Sequence, residues 1–385
     1  MNGDEDRLAR VALARVCEPG TRSVYAAVEE LGAPAVWTEL RAGRPPGRVR
    51  ATTAEGARLR AERYDPLDDL RALERLGGRV VVPSDREWPA DRLSWGGDLR
   101  EPPPLVLFVR GPHPLADCVE RSVALVGARA ATAYGGHVAG ELGLGVADRG
   151  WTVVSGGAYG IDGQAHRGAL SAQAAPTVAV LACGVDVAYP RGHTSLLDRI
   201  AADGLVVSEL PPGCAPTRSR FLVRNRVIAA LSVGTVVVEA AVRSGSLTTA
   251  RQAGDLGRVL MAVPGPVTSA MSAGSHQLLR EGAVCVTSAA DVLDAVGALS
   301  DDAAVPQRGP ASPRDGLSET VRQVLDAVPV RSWAGEASIA RTAGVATLTV
   351  QQVLPPLQVA GLVEQSLEGW RLTALGAGRP ARAAP

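Results

Sequence analysis

The stretches SVALVGARAAT at residues 122–132 and TVVSGGAYGID at 152–162 each run from an unbroken small-apolar segment into a glycine turn and then a helix start. Alternating apolar and polar residues would mark a strand with one wet face. Continuous Val, Ala and Leu mark burial on both faces, as parallel strands covered by helices require. Further runs of this kind follow at Thr177–Leu181, Leu205–Ser208, Thr235–Glu239, Val259–Val263 and Val284–Thr287. Between them lie helical patterns at Tyr134–Arg149, Asp162–Ala172, His193–Ala202, Asn225–Leu231, Ser246–Gly257 and Ser275–Glu281. Strand and helix alternate, so the expected fold is α/β with a doubly wound, mainly parallel sheet.

Outward from that centre the period changes. Val80–Val82 and Leu105–Val109 are strand-like, while residues 1–77 show helical stripes punctuated by Pro19-Gly20, Gly32 and Pro34, with Asp65-Pro66 opening another short helix. Residues 298–315 combine Asp, Pro, Ser and Gly without periodicity and read as a linker. Beyond it, helix patterns at Leu317–Val328, Glu336–Ala343 and Thr347–Ala360 precede a hairpin around Glu368-Gly369. Three helices and a hairpin make a winged-helix module over 316–377, followed by a tail at 378–385 expected to be disordered. Pro355-Pro356 should interrupt the third helix. That helix has no arginine between Arg341 and Arg371, so the module reads as a protein-contact or regulatory piece.

Composition narrows the function. With 385 residues, 46% hydrophobic, the chain can bury cores without staples. Cys17, Cys118, Cys183, Cys214 and Cys285 are too widely spaced for a zinc site, so no metal is expected. The start MNGDEDRLAR carries acids where a signal peptide would have a basic segment and an apolar run, and no apolar run is long enough to span a bilayer, so the expected location is the cytoplasm with no membrane partner. The 40 basic residues balance 40 acidic ones, and every basic residue is arginine. Wherever these arginines converge they offer planar, bidentate donors for phosphates and bases.

In an open parallel sheet ligands bind where strands end. The first end, Val126-Gly127-Ala128-Arg129, puts a cation beside a tight turn. It is not G-x-G-x-x-G, and the next strand ends in Ser155-Gly156-Gly157 without the ribose-binding acid, which disfavours a nicotinamide enzyme. The glycines at 156, 157 and 160 let the backbone approach a phosphate or sugar; Asp162 reads as a helix cap and His166 as a packed residue. Thr217–Arg226 holds Arg218, Arg220, Arg224 and Arg226 around Phe221, a pattern suited to tracking phosphates while stacking a base, although a solvated loop with one core ring would read the same. Ser244-Gly245-Ser246 offers hydroxyls and free amides at a helix start, which is also a common cap. With no G-x-S-x-G elbow, no lysine for a Walker A loop and no carboxylate pair at the strand ends, the chain reads as a binding protein, not an enzyme, with no cofactor.

Taken together, Val126–Arg129, Val154–Asp162 with Ala165-His166, Tyr189-Pro190, Ser208-Glu209, Phe221 with Arg224–Ser232, Glu239 with Ser244–Ser246 and Thr249-Ala250, and Val263–Gly265 closely resemble the DprA (Smf) DNA-processing family over about residues 78–297. The resemblance implies an extended Rossmann-like domain that binds single-stranded DNA, works as a homodimer and loads the RecA recombinase in natural transformation, with single-strand-binding protein as a further partner. It also implies a SAM-like N-terminal module. Carried over residue by residue, it points to Arg129 as a phosphate contact and to Arg218, Phe221, Arg224, Asn225 and Arg226 as a basic and stacking wall. Ser155, Gly156, Gly157, Ser244, Gly245 and Ser246 would supply backbone and hydroxyl contacts. Tyr159, counted among the DNA contacts, stands where many relatives carry Arg, and would either supply a second stacking ring or simply remove one charge from the pocket; Leu222 stands where many carry Pro. The competing reading is a nucleotide-processing enzyme of the lysine-decarboxylase-like (phosphoribohydrolase) family, but Glu239–Ser246 lacks that family's P-G-G-x-G-T-x-x-E run.

Overall fold

A computed structural model of the chain describes residues 3–95, 101–297 and 316–377; the expected linker and tail lie outside these. The described chain divides into two compact units, Met1–Ala304 and Val305–Pro385. The first contains nine strands: β1 (Gly78–Val81), β2 (Leu107–Arg110), β3 (Ser122–Val126), β4 (Thr152–Ser155), β5 (Thr177–Leu181), β6 (Leu205–Ser208), β7 (Gly234–Val237), β8 (Val259–Ala262) and β9 (Val284–Cys285). They form one sheet in the order β1-β2-β6-β5-β4-β3-β7-β8-β9. From β6 to β9 every pairing is parallel, while β1 and β2 join antiparallel at the β6 edge. The sheet is therefore doubly wound and mainly parallel.

The apolar runs form strands because both faces need covering. In β3, Ala124 and Val126 face one core with Val154 and Val237, whereas Val123 and Leu125 face the other with Val153 and Val236. Successive side chains leave a strand on opposite sides, so an uninterrupted Val-Ala-Leu-Val feeds two cores. The winding runs outward from β3 to β6, then returns to β7 on the other side of β3. The chain therefore diverges between β3 and β7, leaving an open crevice at their carboxyl ends.

Ahead of the sheet, four helices, Gly3–Val16, Arg22–Leu31, Ala33–Arg41 and Ala51–Ala61, gather around Leu13, Val28, Val36, Leu40 and Ala57, and a fifth, Pro66–Arg75, packs Leu73 into the sheet core beside Val80 and Phe108. Asp65 caps the last of them, accepting from the Leu67 amide at 3.0 Å. This bundle is tied to the sheet domain by Arg15, which pairs with Asp69 and donates to the Pro212 carbonyl at 2.7 Å.

In the second unit, helices Glu319–Ala327, Glu336–Ala343 and Thr347–Val359 pack with the hairpin β10 (Val363–Ser366) and β11 (Gly369–Leu372) around Leu325, Ile339, Leu354 and Trp370. One expectation is corrected here: Pro355 and Pro356 do not interrupt the third helix, which runs through both. The two prolines are exposed while Val350, Leu354 and Leu357 are buried. The carbonyls of Gln351 and Gln352, deprived of amide partners by the prolines, thus belong to the solvent side of the helix, where water can satisfy them.

Candidate nucleic-acid interface

The crevice between β3 and β7 is a groove of about 430 Å³, walled by the loop after β3 (Gly127–Ala130), the loop after β7 (Ala241–Ser246) and one face of the helix Arg218–Ala230. That helix begins seven residues earlier than the apolar stripe Asn225–Leu231 indicates. Thr217 caps it, its hydroxyl accepting from the Arg220 amide at 3.3 Å. The arginine-rich segment is therefore helix and not loop, and its side chains diverge by 100° per residue.

Arg129 is exposed at the groove mouth, and its guanidinium carbon lies 4.6 Å from the centroid of the half-buried Phe221 ring. The Arg224 guanidinium carbon approaches the same ring at 5.9 Å. Arg129, Phe221 and Arg224 thus meet at one ring. Arg224 itself is only 6% exposed. Its Nη1 donates to the Gly156 carbonyl at 2.9 Å and also to the Val180 carbonyl, joining the ends of β4 and β5. A Cβ at position 156 would stand 2.6 Å from that Nη1, so this bracket requires glycine. Burial pushes Arg224 down to about 10, with Asp162 opposing the shift, so it remains charged at neutral pH.

Asp162 lies in the groove wall. The helix Ile161–Ala169 is preceded by Gly160 at φ 78°, so Asp162 is not its cap. Instead its carboxylate accepts from the amides of Gly156 at 3.2 Å and Ala158 at 3.4 Å, and burial raises its pKa against the pull of Arg224. His166 behind it is fully buried, hydrogen-bonded to Thr177 at 2.8 Å and pushed down to about 3 by burial, so it is neutral and packed. Glu239, at the end of β7, accepts from the Thr132 amide at 2.9 Å and its hydroxyl at 2.6 Å. Those bonds fix the β3 loop, and hence Arg129, against the β7 loop.

Asn225, Ser244, Gly245 and Ser246 line the groove with Arg129, Phe221 and Arg224. Asn225 donates to the Gly245 carbonyl at 3.4 Å, and the Ser244 and Ser246 hydroxyls share a hydrogen bond of 2.7 Å. Gly245 precedes the helix Ser246–Asp255, whose first three amides are bonded to Ser244 and Gly245.

The remaining residues of the sequence-derived set are placed elsewhere. Arg226, two residues and about 200° around the helix from Arg224, is buried against Glu209 at 2.6 Å and Trp95 at 5.9 Å, outside the groove. The Ser155 hydroxyl is consumed by the Leu125 carbonyl at 2.6 Å. Gly156 and Gly157 lie behind Arg224 and His193, as backbone acceptors for those two side chains. Arg218 is exposed at the helix start but does not line the groove. Tyr159 is 49% exposed, with its ring set edge-on to His193 at 4.8 Å and not beside Phe221. Two charged groove residues escaped the sequence reading of the site: Arg243, exposed on the β7 loop, and Asp162. Arg243 sits directly before Ser244 at the strand end, which is the signal that could have found it.

Comparison with known proteins agrees with this architecture. Residues 79–297 match the family model described as DNA recombination-mediator protein A. The chain is 46% identical over 375 residues, 96% of this chain and 95% of the relative, to the putative DNA processing protein DprA of Mycobacterium tuberculosis. It is 39% identical over 232 residues, 60% of this chain and 76% of the relative, to the DNA processing protein DprA of Bacillus subtilis. The X-ray structure of DNA processing protein A from Streptococcus pneumoniae superposes with a TM-score of 0.61 at 29% identity, covering 76% of this chain and 98% of that one. Among the described residues no helix is long and apolar enough to cross a membrane. The sheet order, the groove at its switch point and these matches place the chain in the DNA recombination-mediator protein A family.

Proposed function

We propose that the β3/β7 groove holds an unpaired DNA strand and that the protein is a non-catalytic mediator that passes this strand, as a homodimer, to the RecA recombinase during natural transformation. The observation that carries the reading is Arg129 seated 4.6 Å over the partly exposed Phe221 ring at the groove mouth. A guanidinium meets phosphates and an aromatic face meets bases without regard to sequence, as single-strand binding demands. Duplex DNA would keep its bases from the rings gathered here, Phe221 and its neighbour Tyr189. A non-catalytic role is supported by Asp162, the carboxylate lining the groove, which is committed to the Gly156 and Ala158 amides. In this reading the N-terminal helices are the SAM-like module and the second unit is a winged helix devoted to protein contacts.

Fluorescence anisotropy with a short thymidine oligonucleotide tests this. Arg129→Ala should weaken binding roughly tenfold, and Phe221→Ala by a similar factor, because that ring seats both Arg129 and the Tyr189 ring. Arg129→Ala should also flatten the slope of log K against log salt by about 0.7, one phosphate contact on a single strand, while Phe221→Ala leaves the slope unchanged. Unaltered affinity in both variants would remove the groove from the DNA path.

A further inference from the structure

Phe221 is crowded. Arg129 lies over it at 4.6 Å, Arg224 approaches at 5.9 Å, and the ring of Tyr189 lies against it with centroids 5.3 Å apart at 49°. A nucleobase stacks on an open ring face, and a ring with two guanidinium groups and another ring pressed around it has little face to offer. Tyr189 has 40% of its surface open. It reaches Phe221 from the segment between β5 and the helix Thr194–Asp203, a different part of the sheet's carboxyl edge from the two loops that wall the groove. Two residues further, Arg191 is exposed on the same segment.

We propose that Tyr189 is the stacking platform for an unpaired base, and that Phe221 serves as the wedge that orients Tyr189 and Arg129. The inference rests on the single-strand reading of the groove and extends it. The strand leaves the β3/β7 crevice past Phe221, lays a base on the Tyr189 ring and brings a phosphate toward Arg191. This division of labour follows from what surrounds each ring. Tyr189 is the more exposed of two touching rings, and Phe221 is held from several sides. Offset or tilted ring pairs of this kind hold their members in place, so the Tyr189 ring is set before any base arrives.

The experiment is binding of a thymidine oligonucleotide and of the same backbone without bases to the full-length wild type, Tyr189→Ala, Tyr189→Phe and Arg129→Ala. Tyr189→Ala is expected to lose roughly five- to a hundredfold in affinity for the thymidine strand, the range of one base–ring stack, with the salt slope intact because no charge is removed. Tyr189→Phe should keep wild-type affinity, and on the abasic strand Tyr189→Ala and wild type should bind alike. Equal thymidine affinity for Tyr189→Ala and wild type, or the same loss on both strands, would overturn the inference while Arg129→Ala still reports a working groove. If Arg129→Ala binds as wild type, it is the groove reading that fails. Should Tyr189→Ala not fold, Tyr189→Trp replaces it: a base stacked on the new indole must quench its emission, and unquenched emission at saturating thymidine strand refutes the stack.

Discussion

Arg129 and Arg226 carry the same guanidinium into opposite environments. Arg129 rides a short loop at the end of β3, exposed, with an aromatic ring as its neighbour. Arg226 sits on a helix, with its side chain 3% exposed, paired with Glu209 at 2.6 Å and facing Trp95. Arg224, between the two in character, is buried but borders the groove. A run of cations in sequence is thus not a cluster in space. On a helix Arg224 and Arg226 point to different neighbourhoods, and the groove takes its exposed arginines, Arg129 and Arg243, from loops.

The largest effect should come from Arg226, which lies outside the groove. Arg226→Ala leaves Glu209 buried without its partner, and burial already raises that carboxylate's pKa even with the arginine present. Breaking a buried pair on one side costs about 3–5 kcal/mol, which a urea titration resolves easily. Removing both charges with Arg226→Met and Glu209→Leu together should recover most of the loss, since a well-packed apolar pair replaces two desolvated ions. The oligonucleotide affinity of the folded fraction should stay at the wild-type value. A clear loss of affinity with normal stability would reverse the assignment of the two helix faces.

Arg224→Ala should fall between the extremes and change both readouts. The Gly156 and Val180 carbonyls lose a common donor, and an unsatisfied buried group costs about 1–3 kcal/mol. Loss of the charge beneath the groove also weakens DNA binding. Arg224→Lys separates the two contributions, because the ammonium keeps the charge but ends a shorter stem that does not reach the Nη1 position from which both carbonyls are bonded. Its stability should stay low while its salt dependence approaches wild type. A lysine variant as stable as the wild type would show that the bracket is dispensable.

The sheet was readable because its signal is redundant. Each central strand is an unbroken apolar run, each is followed by a turn, and parallel pairing tolerates no other pattern as well. The site was readable only in part. Arg129 and Ser244–Ser246 lie on strand-end loops, where position in the fold follows from the topology. The helix Arg218–Ala230 hid its true start because Arg218, Ser219 and Arg220 carry no apolar periodicity; the Thr217 cap was the available clue. Ser155 has the residue type of a ligand, yet its hydroxyl is spent on the Leu125 carbonyl of the neighbouring strand β3. A hydrogen bond of that kind depends on strand pairing between residues 30 positions apart, and residue type alone does not reveal it. The helix through Pro355-Pro356 shows the reverse case, in which packing by Leu354 and Leu357 outweighs a local breaking signal.

The smallest expected stability change belongs to the residue with the largest role in the proposed DNA contact. Arg129→Ala removes an exposed cation–ring contact worth about 0.5–1 kcal/mol. It also removes a like charge that acts on Arg224, where Arg129 adds to the effect of burial in lowering the pKa. These two consequences oppose each other, so the urea midpoint should move by less than the equivalent of about 0.5 kcal/mol. Salt separates them: screening weakens the repulsion between Arg129 and Arg224 more than it weakens ring contact, because the repulsion acts through space that is partly solvent. The variant should therefore look best relative to wild type at low ionic strength and lose ground as salt is added. If Arg129→Ala instead destabilised the protein as much as Arg226→Ala at every salt concentration, Arg129 would be a structural residue, and the contrast between the loop cation and the helix cations would collapse.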